Sequence, residues 1–132
     1  MSHTVKIKAQ FKIENLSSFR RALEHFGWKL KENSKARTYY SDPARDTIYD
    51  MVAVNPATGD AYDLGVKLNH ETGEIEILGD FFGGSVSRTL GAELKHLKKE
   101  YSCCVIEDQL AYKGYTPIRQ EQNNGEIDII AE

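Results

Sequence analysis

The segment that most limits how this chain can fold lies near its start. From Val5 to Ile13, apolar and polar side chains alternate without a break. Val5, Ile7, Ala9, Phe11 and Ile13 share one parity, and Lys6, Lys8, Gln10 and Lys12 share the other. Successive side chains of an extended strand point to opposite faces, so this pattern specifies a strand with one buried and one wet face. Antiparallel sheets tolerate a wet face, whereas parallel sheets are normally covered on both sides. The lysines also discourage edge-to-edge association.

The rest of the chain must supply a layer to cover the apolar face. Leu16, Phe19, Leu23 and Phe26 follow at helical spacing, with Asn15 as the expected N-cap and Gly27 as the left-handed stop. Trp28 and Leu30 open a short extended stretch, and residues 31–46 read as a polar loop in which Tyr39 and Tyr40 form a short edge strand. Thr47 to Val54 reads as a strand closed by an Asn55–Asp60 turn. Tyr62 to Leu68 and Ile75 to Ile77 then form a hairpin through Gly73. A second helix, capped by Ser85 or Ser87, is expected to carry one stripe through Leu90, Leu94, Leu97, Tyr101 and Val105. It then bends near residues 102–104 or restarts, because Ile106, Leu110 and Tyr112 shift the stripe. Gly114 ends it. The Asn123-Asn124-Gly125 turn closes a last hairpin.

This order predicts an α+β fold: an antiparallel sheet of about five to six strands with two or three helices packed on one face. Its length of 132 residues suits a single domain spanning 1–132. The expected core comprises Val5, Ile7, Phe11, Leu16, Phe19, Leu23, Phe26, Leu64, Val66, Ile75, Ile77, Leu90, Leu94 and Leu97, because strand faces and helix stripes can be buried only against each other.

Composition narrows the function classes. Hydrophobic residues at 40% and charged residues at 28% match a globular protein. No apolar run reaches the roughly 18–20 residues of a membrane span, and residues 1–10 lack the apolar centre of a signal peptide, so a cytoplasmic protein is expected. Net charge is −3, from 17 basic and 20 acidic residues, and the basic residues are scattered, which disfavours nucleic acid as a partner. Cys103 and Cys104 are adjacent, a poor geometry for a disulfide, and are expected to pack as inert thiols. The four histidines lack metal-ligand spacing, so neither a metal nor another cofactor is expected.

Two segments stand out as candidate sites. Gly83, Gly84, Ser85, Ser87 and Arg88 combine glycines, hydroxyls and a cation at an expected helix start, where free amides favour an anion, although a flexible turn with an ordinary Ser cap accounts for them more simply. Phe81 and Phe82 are consecutive, so an extended backbone would expose one ring as an anchor for a partner, unless both cover the end of the second helix, a reading of equal weight. Asp60, Asp63, Glu74, Glu76 and Asp80 fit either a divalent cation site or the wet face of the hairpin. No nucleophile–base pair, and hence no catalytic residue, emerges from the sequence.

Several short segments, taken in order, resemble an uncharacterised family classed as a hypothetical chloroplast reading frame, a domain of unknown function. That family occurs in cyanobacteria, algal plastids, other bacteria and tailed phages. The matching segments are Met1-Ser2-His3 with the Val5–Ile13 strand, Tyr62-Asp63-Leu64-Gly65-Val66, and Asp80-Phe81-Phe82-Gly83. The Leu94–Tyr101 helix and Gly114-Tyr115 with the acidic hairpin that follows complete the set. Relatives often carry tryptophan where Phe81 and Phe82 stand. The resemblance implies an accessory protein and brings no catalytic residues with it. The expected function is therefore a non-enzymatic interaction module acting through an unidentified protein partner or by self-association. The alternative is a small-molecule or nucleotide-binding protein that uses Gly83–Arg88 for a phosphate. A metal-dependent hydrolase is a third, more distant reading.

Overall fold

A computed structural model describes residues 5–7, 11–39, 42–59, 61–80 and 84–132. Five antiparallel strands make the main sheet: β1 (Val5–Ile7), β2 (Lys29–Lys35), β3 (Ile48–Val54), β4 (Leu64–Asn69) and β5 (Glu74–Gly79), in the order β1-β5-β4-β3-β2. Two further strands, β6 (Pro117–Glu121) and β7 (Ile127–Ala131), form a separate antiparallel hairpin. The helices are α1 (Leu16–His25), the single-turn α2 (Ser87–Leu90) and α3 (Lys95–Tyr112). This is the α+β class that the alternation implies.

Register shows how the sheet divides its two faces. Met51 pairs with Val66 and Val66 with Ile77, while Ala53 pairs with Leu64. These side chains form one buried cluster with Ile75, with Phe19, Ala22 and Leu23 of α1, and with Leu97, Tyr101 and Cys104 of α3. Phe11, Leu64, Val66, Ile75, Ile77, Leu90 and Leu94 are buried there as expected, with Leu16 and Phe26 packed at its margin. Trp28, Tyr62 and Val86 join them, and the Trp28 indole donates to the Thr89 hydroxyl at 3.1 Å. The side chains of Val5 and Ile7 lie outside the described residues.

The opposite sheet face is not wholly wet. Ala36, Tyr49 and Val52 form a second, smaller cluster with Val54 and Leu78. Gly65 lies under the Tyr49 ring; a Cβ there would sit 2.5 Å from the ring carbons. Gly65→Ala is therefore expected to displace the ring and cost about 1–3 kcal/mol by overpacking. Thermal melts of Gly65→Ala and of Gly65→Ala/Tyr49→Ala decide the cause, since removing the ring should recover part of the loss.

Four local expectations are corrected. Residues 29–35 form a full strand rather than a short stretch leading into a loop. Lys29 to Lys35 pair along β3 at the sheet edge, where only Leu30 needs to reach the core, so hydrophobic periodicity is nearly absent. Asn15 does not cap α1 with its side chain; its amide nitrogen instead donates to the Tyr101 hydroxyl at 3.3 Å. The second helix is not continuous from Ser87. Gly91 has φ +83°, and Glu93 and Leu94 also take left-handed φ values of 54° and 62°, so the chain turns sharply before α3 starts at Lys95. Leu94 is fully buried, and that burial offsets a left-handed conformation costing roughly 1–2 kcal/mol. α3 then runs unbroken through residues 102–104. Its apolar stripe shifts because the partner changes, from the sheet to α1 and the C-terminal hairpin.

Arg119 on β6 holds that hairpin against α3. Its guanidinium donates to both Glu100 oxygens at 2.9 and 2.6 Å and to both Glu107 oxygens at 2.9 and 2.6 Å. Lys99 also donates to the Gly125 carbonyl. Arg21 of α1 bonds Glu107, Asp108 and the Cys104 carbonyl, tying the two long helices together. Burial pushes the Glu100 carboxyl up, but bonds from Arg119 and Cys104 outweigh it and leave the carboxyl below the ordinary range. The bond from Arg119 lowers Glu107 likewise, against a smaller opposing effect of burial. A carboxyl whose folded pKa is depressed stabilises the fold above its unfolded pKa, and that contribution fades as pH falls through the folded value. Stability is therefore expected to drop below about pH 4.5, the ordinary carboxyl value. Urea midpoints measured from pH 7 to 3 should fall less steeply in Glu100→Gln/Glu107→Gln than in the wild type.

Candidate functional site

A cleft of about 840 Å³ opens where three connections meet. Arg37, Thr38 and Tyr39 follow β2; Asn55–Gly59, Ala61 and Tyr62 join β3 to β4; Ser85, Arg88 and Thr89 lie around α2. The volume falls in the range of small-molecule sites, roughly 300–1,000 Å³.

Buried polar groups shape its walls. Asp63, just before β4, accepts from the Arg37 amide (2.9 Å), Arg37 Nε (3.0 Å), Arg37 Nη2 (2.9 Å) and the Asn55 amide (2.8 Å). Four donors match the four acceptor positions of a carboxylate. Arg37 Nη2 also donates to the Asn55 carbonyl at 2.8 Å and Nη1 to the Ala57 carbonyl at 3.3 Å. The buried Asn55 amide nitrogen donates to the carbonyls of Tyr62 and Ser85, while its side-chain oxygen accepts from the Ala57 amide in an Asx turn. The Ser85 hydroxyl accepts from the Tyr62 amide at 3.0 Å. These bonds join residues distant in sequence into one frame.

Of the anion-binding candidates, Ser85 and Arg88 line this cleft. Ser87 opens α2 and Gly84 takes φ +73°, but α2 has only four residues and no side-chain cap, so these residues do not introduce the long helix expected from the sequence. Gly83, Phe81 and Phe82 lie outside the described residues. The acidic group does not converge on one point. Asp63 is committed to Arg37, Asp80 is buried and accepts from the Tyr39 amide, and Glu76 bonds Asn69. Burial of Asp63 and Asp80 corrects the reading of these two residues as part of a wet face. Asp60 lies outside the described residues. Among the described residues, no group of three or more His, Cys, Asp or Glu side chains is placed to hold a metal ion.

Cys103 and Cys104 are both buried and unbridged. Burial, reinforced by the hydrogen bond to Glu100, pushes the Cys104 thiol up to about 12, and burial also raises Cys103. Both therefore remain protonated at neutral pH, a state with little nucleophilicity.

Sequence reasoning passed over Arg37, Asn55 and Asp63 as members of one site. The available signals were weak: an arginine inside a polar stretch, an Asn-Pro turn and an aspartate breaking the run before an apolar strand. Among the described residues, no helix is long and apolar enough to cross a membrane. No family model matches the chain, and no curated protein or solved structure matches it significantly.

Proposed function

We propose that this chain is an accessory binding module that takes a small phosphate-bearing ligand in the cleft around Arg88. The observation that carries this reading is that Arg88 and Ser85 line one cavity, together with Thr38 and Thr89. The Ser85 hydroxyl accepts from the Tyr62 amide and keeps its proton to donate, while Thr38 and Thr89 direct theirs to the Tyr39 and Val86 carbonyls. A cation beside a hydroxyl donor suits a tetrahedral oxyanion, which offers several acceptors and negative charge. Tyr39 and Tyr62 also line the cleft, next to the core cluster that Tyr62 belongs to, and offer an aromatic edge to the organic part of a nucleotide or sugar phosphate. An accessory role also accords with the resemblance to the chloroplast reading-frame family. Docking to a protein partner through Phe81 and Phe82 is a separate reading that rests on sequence alone.

Thermal shift against inorganic phosphate, nucleotides and sugar phosphates tests the binding function. A ligand at about 100 times its Kd should stabilise the fold by roughly 2.7 kcal/mol. Arg88→Ala is expected to lower that gain, read as the difference between the melting temperatures of each protein with and without ligand. A panel that leaves the wild-type melting temperature unmoved would sink the reading.

A further inference from the structure

We infer that Arg37, outside the Gly83–Arg88 segment, is a second recognition residue of this cleft and supplies an oriented hydrogen bond to the ligand's phosphate group. This inference rests on the phosphate-binding reading above.

The geometry of Arg37 differs from that of a strut buried for stability alone. Its partner carboxylate is sealed off, with the Asp63 side chain 4% exposed, while the Arg37 side chain remains 41% exposed on the cleft wall. Bonds to Asp63, Asn55 and Ala57 use four of the five guanidinium N–H donors, leaving one on Nη1 without an acceptor among the described residues. The guanidinium plane is therefore set before any ligand arrives, and little side-chain freedom remains to be lost on binding. Asp63 also balances the charge of Arg37. Arg37 thus contributes chiefly direction rather than net charge.

This directional role yields a distinctive result for Arg37→Lys. Lysine keeps the charge and the pairing with Asp63 but lacks the planar fork. Uniformly ¹⁵N-labelled full-length protein would be titrated with inorganic phosphate at low and high salt, following the backbone amides and the Arg37 Nε–H signal. Wild type is expected to bind, with the Arg37 Nε–H signal moving as phosphate is added. Arg37→Lys should bind about ten- to a hundred-fold more weakly, the range for one hydrogen bond between charged groups, with its salt dependence unchanged. If the wild type binds phosphate and Arg37→Lys binds equally well, the inference is overturned while the reading of the cleft stands. Should Arg37→Lys fail to fold, an unmoved Arg37 Nε–H signal in phosphate-saturated wild type overturns the inference in the same way. Absence of phosphate binding by the wild type removes the inference and its underlying reading together.

Discussion

Replacing Phe19 with alanine is expected to remove about 3–5 kcal/mol of stability, the range for truncating a buried phenylalanine. Phe19 has no exposed surface, and its ring centroid lies 5.0 Å from that of Phe11 and 6.5 Å from that of Tyr101. Phe11 and Tyr101 meet edge-on at 4.8 Å, so the three rings join the residue just before the Lys12–Glu74 bridge to α1 and α3. The surrounding strands are hydrogen-bonded in register and cannot collapse into the space left by the missing ring, so the cavity persists. A domain of this size has roughly 5–15 kcal/mol in total, and Phe19→Ala would leave it marginal. Urea melts provide the measurement, with Ile48→Ala as the reference. Ile48 is 65% exposed, and its truncation should stay within about 0.5 kcal/mol. Equal losses in the two variants would mean that the helix–sheet layer is not the core.

Asp63→Ala should be nearly as damaging, at about 3–5 kcal/mol, for a different reason. Two backbone amides, Arg37 and Asn55, lose their acceptor, and the Arg37 guanidinium loses its counter-charge. A double-mutant cycle with Arg37→Ala separates the two losses. The coupling should be about 1.5–3 kcal/mol, as for hydrogen bonds between charged groups, and the remainder should persist in the double variant because the amides stay unsatisfied. Near-zero coupling would show that the ion pair adds nothing beyond the amide bonds. Reducing the frame in this way should also loosen the cleft, since Arg37, Asn55 and the turn at Ala57 are fixed by the same aspartate.

Accessory protein, phosphate binder and partner-docking module differ in which part of the surface they need. Asp63→Ala disrupts the cleft and leaves the Phe81-Phe82 sequence unaltered. It therefore also serves to separate the binding readings, provided comparisons are made at a temperature where the variant remains folded.

The antiparallel α+β class, α1, the β4–β5 hairpin and the C-terminal hairpin are all legible from residue spacing. In each of these, one face is apolar at the period of the element, and the turn residues suit the backbone conformations required. Gly27, Gly73, Gly114 and Gly125 all take positive φ where a helix or hairpin ends. Tertiary structure alone decided the rest. β2 has a nearly featureless sequence, and its strand form comes from the hydrogen bonds offered by β3. The break before α3 was hidden because Leu90, Leu94 and Leu97 fit one helical stripe, yet all three reach the same core across a left-handed turn. The cleft was the least legible part. Arg37, Asp63 and Ser85 belong to separate connections, and nothing in the local periodicity links them. They meet because β2, β3 and β4 lie side by side in the sheet and α2 closes against the same end. Local patterning specifies which face an element buries, whereas a polar site between loops exists only once those elements have been brought together.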